Sequence, residues 1–475
     1  MTTNAVTAPL FLSTPRRSVA RAAALAMMAS LLCFSLILPV INIRSDLPWL
    51  KVEQALLPVV AIIYVWLLLT GSARLICWNG MMAIGAAFSF AIAVSIWYGA
   101  EVLRHPILLR DYYEIPKAWL PVVFFTIGLE SELDENSLRW LWRCFAATIA
   151  LICLYAWAQF LRLPFTYALN SLYSAGEHID TGLFVHGRVY STMGNANVLG
   201  QLMTWAVAGF TMAFLFRIGN RVFNFALASA CVITLGMTGS RYGLITTAVA
   251  LIIVILLPAT SNRRRIAQVA LLALILPVFV WAFATTVRTN QGNTQRIASL
   301  KHPLEADSLR ARLDSLWLDA ADDFLRSPIL GFGPAKVFYT NVFTDSEYLD
   351  VLKEFGLVGM LAYLAYYFYP LARLWKGLRS RPSAGTGART GLSPSEQPFH
   401  QLTARFAFIV GVTSLLMNVG ESTFYNQLLQ ASIWLWLGLG VAAVRISLRR
   451  DQVWGIVSSL SYPSKRIVSS MRDNT

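Results

Sequence analysis

Three groups of polar residues stand out for the chemistry their types and spacing allow. His186-Gly-Arg-Val-Tyr-Ser-Thr-Met-Gly-Asn-Ala-Asn-Val-Leu-Gly200 leads into an apolar helix and sets Arg188 beside Asn195 and Asn197. A planar guanidinium holds a phosphate in bidentate fashion, and asparagines at a helix start can cap it while its positive end attracts an anion. The structural alternative is a helix cap with a snorkelling arginine. Thr238-Gly-Ser-Arg-Tyr-Gly243 places Arg241 in a tight turn between two apolar runs. An arginine there is either a second phosphate ligand or, beside Tyr242, an interfacial anchor. The third group is Ser327-Pro-Ile-Leu-Gly-Phe-Gly-Pro334 followed by Thr344-Asp-Ser-Glu-Tyr-Leu-Asp-Val-Leu-Lys-Glu-Phe-Gly356. A glycine-punctuated turn precedes a helix with Asp345 and Glu347 at its start. Thr344 and Glu347 match a capping box and Asp345 suits the helix dipole, yet either carboxylate near arginines could take a proton from a hydroxyl.

The elements that position these residues are apolar. The chain has 475 residues, 56% of them hydrophobic and 13% charged, with a mean hydropathy of +0.56. Soluble proteins carry about 25% charged residues. Apolar helices are read near 22–42, 54–71, 80–100, 117–129, 140–161, 197–216, 223–238, 243–258, 266–287, 351–370, 403–419 and 424–444, most of span length; the fourth and seventh are short and open to a tilted, broken or re-entrant course. The expected fold is therefore an all-α polytopic membrane protein of about 12 transmembrane helices. Residues 1–287 would form an N-terminal membrane domain and 288–350 an extracytoplasmic loop with an amphipathic helix; 351–450 would form the C-terminal membrane helices around a flexible loop at 371–402, and 451–475 a tail. Leu309, Leu313, Leu316, Ala320 and Phe324 supply the amphipathic spacing, with Arg310 and Arg312 among them. The first apolar run follows Arg16, Arg17 and Arg21 and is read as the first helix, not a cleaved signal.

A net charge of +14 fits basic cytoplasmic loops better than nucleic-acid binding. Arg217 and Arg221, Arg263 to Arg265, the 371–402 loop and Arg445, Arg449 and Arg450 share one side, which places both termini in the cytoplasm. The acidic connection 130–139 disagrees, but acids weigh little in this rule. Cys33, Cys77, Cys144, Cys153 and Cys231 lie in or beside apolar runs and read as small hydrophobes. No metal-ligand spacing is present, and no cofactor is expected. Glu421, acidic in an apolar setting between the last two spans, is a further functional candidate.

Arg188 to Asn197, Ser240-Arg241, Ser327 to Pro334 and Ser346-Glu-Tyr-Leu-Asp-Val-Leu-Lys-Glu-Phe-Gly-Leu-Val-Gly359 together resemble the O-antigen ligase and O-antigen polymerase superfamily. The resemblance implies a GT-C-like membrane glycosyltransferase of the bacterial inner membrane, with its site facing the periplasm. It implies an undecaprenyl-pyrophosphate-linked glycan as donor, no metal, and a glycan or lipid A-core as acceptor. Arg188, Arg241, Arg312 and Asn197 would bind the pyrophosphate, with Asp345 and Glu347 as catalytic carboxylates. In the ligases a histidine typically stands where Asp345 stands here, which turns the reading toward a polymerase of O-antigen, capsule or exopolysaccharide repeats. A lipid A-core ligase and a lipid-linked glycan flippase are the alternatives, and a polymerase would work with a chain-length regulator.

Overall fold

The computed structural model describes residues 15–41, 50–51, parts of 58–69, 79–131, 133–173, 187–257, 312–334, 344–379, 398–421 and 429–460. Its helices of ten residues or more are α1 (Pro15–Ile37), α2 (Gly80–Glu101), α3 (Leu120–Glu130), α4 (Glu135–Phe160), α5 (Pro164–Tyr173), α6 (Ala196–Leu215), α7 (Arg221–Thr238), α8 (Arg241–Leu256), α9 (Trp317–Arg326), α10 (Glu347–Arg379), α11 (Pro398–Met417) and α12 (Gln430–Leu460). The pairing of Val40–Ile41 with Leu50–Lys51 is antiparallel and two residues long. Seven helices among the described residues are long and apolar enough to cross a membrane, namely α2, α4, α6, α7, α10, α11 and α12; α8 and the Leu25–Ile37 part of α1 are shorter apolar helices. This is a multi-pass membrane protein. The expected span at 266–287, and most of that at 54–71, lie outside the described residues.

Two boundaries differ from the sequence expectation. The helix expected over 351–370 continues through Pro370 to Arg379, and α11 begins at Pro398, so the 371–402 stretch is helical at both ends. The fourth helix, expected short over 117–129, is the 11 residues of α3, about 16 Å long at 1.5 Å per residue and too short to cross the roughly 30 Å hydrocarbon core alone. Instead α3 packs along α12. Gly128 and Gly438 permit it, because a Cβ at Gly128 would lie 2.5 Å from the Leu435 carbonyl oxygen and one at Gly438 2.1 Å from that of Phe125. Close backbone approach through small residues is how helices gain dispersion contacts where lipid offers no hydrophobic drive.

The centre of the bundle is α6, buried on nearly every face, as expected for a helix apolar all round. Trp142 of α4, Phe210 of α6, Phe406 of α11 and Trp436 of α12 meet there through edge and tilted ring contacts. Two buried indole N–H groups find threonine partners here, Trp142 donating to Thr403 and Trp205 to Thr413, each at 3.1 Å. Cys153 and Cys231 are buried in the same core, as their setting predicts.

One break in α10 shapes the site. Gly356 adopts φ +65° inside the helix, which removes the bonds that the N–H groups of residues 357 and 358 would make to the carbonyls of 353 and 354. The Ser327–Pro334 turn supplies replacements for all four groups. Leu357 N–H donates to the Pro328 carbonyl at 2.9 Å and Val358 N–H to Ile329 at 3.3 Å, while Phe332 N–H donates to Lys353 at 2.7 Å and Gly333 N–H to Glu354 at 2.9 Å. In a membrane setting freed backbone groups must be re-paired within the protein, and this turn performs that pairing.

Candidate functional site

The loop before α6 is fixed from below. The Gln159 side-chain oxygen of α4 accepts the N–H of Ser191 at 2.8 Å and of Tyr190 at 3.3 Å, and the Ser191 hydroxyl donates to the Ile152 carbonyl at 2.8 Å. Thr192 donates to the Leu36 carbonyl of α1 at 2.6 Å. Asn195 then caps α6 by accepting the Asn197 N–H at 2.8 Å, the capping role expected of it, and Ser240 caps α8 by accepting from Gly243 at 3.1 Å. Gly200 of α6 lies against Ser240 and Gly243, so two helix N-termini meet at one end of the bundle.

Arg188 links these starts. Its Nε donates to the Thr238 carbonyl at 2.8 Å and its Nη2 to Asn197 Oδ1 at 2.7 Å. The Asn197 amide nitrogen in turn donates to Glu421 Oε1. Arg241, half-buried, is the first residue of α8, three residues beyond the carbonyl that holds Arg188.

A second arm reaches the same place. Arg312 opens a π-helical turn, Arg312–Leu316, which runs into α9. The single regular helix expected from the leucine spacing therefore starts in a wider turn; Ala320 is its buried residue, while Leu318 and Leu325 are exposed. Arg310 and the preceding residues lie outside the described part. The Arg312 Nη2 and Nε donate to Asp345 Oδ2 at 2.9 and 3.2 Å, and its guanidinium lies 5.8 Å from the centre of the Tyr242 ring. Tyr242 also covers Gly420, where a Cβ would lie 2.1 Å from the ring. Tyr242 thus joins Arg312 to the segment carrying Glu421.

The carboxylates separate by environment. The sequence reading puts Asp345 in the first helical turn, but it precedes α10 at φ +54°, a left-handed conformation aspartate tolerates better than most residues, and is 47% exposed. The capping box is absent. Thr344 instead accepts the Ser346 N–H at 3.2 Å and donates to Asp350 Oδ1 at 2.8 Å. Glu347 begins α10 fully buried, its N–H donating to the Asn418 carbonyl at 3.0 Å. Asp350 pairs with Lys353 at 3.2 Å, both 3% exposed. Glu421 follows α11, outside the spanning helix, at 7% exposure. Burial raises its pKa first and the charge of Asp345 adds to this; Asn197, Arg312 and Arg188 pull it back, and it settles at about 7. Burial lowers the pKa of Arg312, but the charge and hydrogen bond of Asp345 outweigh it and the net shift is upward.

Of the predicted site residues, Arg188, Asn197, Arg312 and Asp345 come together around Glu421, and Arg241 lies on the adjoining turn. Glu347 is packed within the protein behind them. Sequence reasoning left Glu421 and Tyr242 without a defined role. The signal available for Glu421 was an acid directly after an apolar helix; for Tyr242 nothing in the sequence pointed to Gly420.

The family model described as O-Antigen ligase matches residues 223–364, less than a third of the chain. The match spans α7 to the middle of α10 and so includes Arg241, Tyr242, Arg312 and Asp345. Arg188, Asn197 and Glu421 lie outside it. No curated protein matches the chain.

Proposed function

We propose that this chain, which matches the O-Antigen ligase family model over residues 223–364, belongs to the O-antigen ligase and polymerase superfamily and polymerises oligosaccharide repeats carried on undecaprenyl pyrophosphate. The convergence of Arg188 and Arg312 from separate elements on one acid-lined end of the bundle carries the reading. Departure of a lipid pyrophosphate develops negative charge, and guanidinium groups aimed at that charge before the reaction stabilise it most effectively. Arg188, Arg241 and Arg312 are assigned to this task, with Asn197 and the N-termini of α6 and α8 adding donors and positive dipole ends. The fold is read as GT-C-like and the site as facing the periplasm, where such donors are consumed. Transfer to the hydroxyl of a second lipid-linked unit would displace the pyrophosphate and invert the anomeric centre.

A ligase acting on lipid A-core is the second reading, favoured by the description of the matched family. Asp345 supports the polymerase, because the ligases typically carry histidine there. A transporter would place its ionisable groups near the bilayer midplane, whereas the arginines and acids described above cluster at one end.

The test is a deletion strain analysed for glycan products and complemented with variants. Single repeats on the core, without long chains, identify a polymerase; lipid-linked polymer that never reaches core identifies a ligase. Arg188→Ala and Arg241→Ala are each expected to abolish the polymer with normal amounts of protein in the membrane. Full-length polymer from a strain carrying both changes would show that these arginines do not serve the reaction.

A further inference from the structure

We propose that Glu421 is the proton acceptor of this transfer, the carboxylate that deprotonates the attacking hydroxyl. The inference rests on the transferase reading above and extends it to a residue beyond the stretch matched by the family.

Geometry separates the three acids. Both donating nitrogens of Arg312 converge on one oxygen of Asp345, whose side chain is 47% exposed; it is a solvated counter-ion. Glu347 is fully buried at the start of α10 and has no open surface. Of the three, Glu421 alone is both desolvated and part of the arginine cluster. Its orientation is set by a relay: Arg188 holds the Asn197 side-chain oxygen, which turns the amide nitrogen onto Glu421 Oε1. Its backbone is held where Tyr242 packs on Gly420 and where the Asn418 carbonyl accepts the Glu347 N–H.

Among the described residues, the charged groups that bear on it are Arg188 before α6, Arg312 before α9 and Asp345 before α10. Asn197 of α6 donates to it, and Tyr242 of α8 packs on the preceding Gly420. With burial raising its pKa to about 7, the carboxylate is poised between accepting and releasing a proton near neutrality, where a general base is most effective. In the step itself the acceptor O–H bond breaks and its proton passes to Glu421. The acceptor oxygen forms a bond to the anomeric carbon. The bond from that carbon to the pyrophosphate oxygen breaks, its electron pair leaving with the pyrophosphate. Glu421 then returns the proton to solvent.

The experiment uses the full chain in phospholipid vesicles, with the lipid-linked oligosaccharide extracted from the deletion strain as both donor and acceptor. Glu421→Gln is expected to lower kcat by roughly a hundredfold or more, with KM within about threefold and the rise of rate with pH abolished. Glu421→Asp should keep measurable activity and the rise. Asp345→Asn removes a neighbouring negative charge and should move the rise to lower pH without abolishing turnover. Near-normal rate and an unchanged pH profile in Glu421→Gln overturn the proposal. So does a rise in KM that accounts for the whole loss, which assigns Glu421 to positioning. Abolished turnover in Asp345→Asn, with Glu421→Asp no different in profile from wild type, makes Asp345 the acceptor and also overturns it. If the wild-type protein itself yields no product, the polymerase reading fails and takes this inference with it.

Discussion

A carboxylate buried among two arginines, an amide and a second carboxylate must register its ionisation in the stability of the fold. In the unfolded chain Glu421 titrates near the ordinary glutamate value of about 4.3; in the folded protein its pKa is about 7. The folded state therefore binds the proton more tightly. The stabilisation is fully present below the unfolded pKa, declines as pH rises between the two values, and is lost above about 7. Thermal unfolding of the detergent-solubilised protein is expected to show a midpoint that falls between pH 5 and pH 8, and Glu421→Gln should flatten that decline. The same pH slope in Glu421→Gln as in wild type would assign the slope to other groups. The arginines around Glu421 lower the cost of its charged form, and Asp345 opposes them.

At the scale of elements, the site depends on the interlock between the Ser327–Pro334 turn and the break in α10. A Cβ at Gly356 would lie 2.3 Å from the Ile329 carbonyl oxygen and 2.6 Å from the Gly331 nitrogen, and one at Gly331 would lie 2.3 Å from the Glu354 carbonyl oxygen. Both glycines also have positive φ, so an added methyl group meets strain and backbone overlap together. Gly356→Ala is expected to cost more than about 3 kcal/mol and to expose the 327–334 turn to protease. Gly219→Ala is the control. It shares a positive φ of +68° but its Cβ meets nothing within 4 Å, so only the backbone term of about 1–2 kcal/mol applies. Equal losses in the two variants would show that the interlock contributes nothing. This interlock marks the limit of the sequence reading. Ser327-Pro and the glycines announce a tight turn by their local preferences, and Asn195 announces a cap for the same reason. That the turn would satisfy a helix broken at Gly356 is a pairing across some 25 residues, which no local pattern encodes. The misplaced cap at Thr344 has the same origin, because its hydroxyl found a tertiary partner in Asp350 instead of leaving Glu347 to complete a local box.

Across the whole molecule, polar groups gather at two opposite ends, and their partners explain the one connection that contradicted the charge rule. Glu135 accepts the Phe399 N–H at 2.7 Å and meets His400 Nδ1 at 2.7 Å, while Glu130 lies 3.8 Å from Arg445. The acidic 130–135 connection therefore sits among basic residues at the end opposite Arg188 and Glu421, and serves as their counter-charge. Since acids contribute little to orientation while Lys and Arg dominate it, we propose that this end faces the cytoplasm and the Glu421 end the periplasm. Single cysteines in a background lacking the five native ones test the assignment. Arg162 follows α4 at the Glu421 end and Gly219 lies in the α6–α7 turn at the other, both exposed. Arg162→Cys is expected to react with a membrane-impermeant maleimide once the outer membrane is opened, and Gly219→Cys only after the inner membrane is breached. The reverse pattern would place the arginine cluster in the cytoplasm, away from donors presented at the periplasmic face, and the proposed transfer would have no substrate there. A matching pattern leaves Arg188, Arg312 and Glu421 on the side where a lipid pyrophosphate arrives with its glycan, and where released acceptor protons pass to periplasmic water.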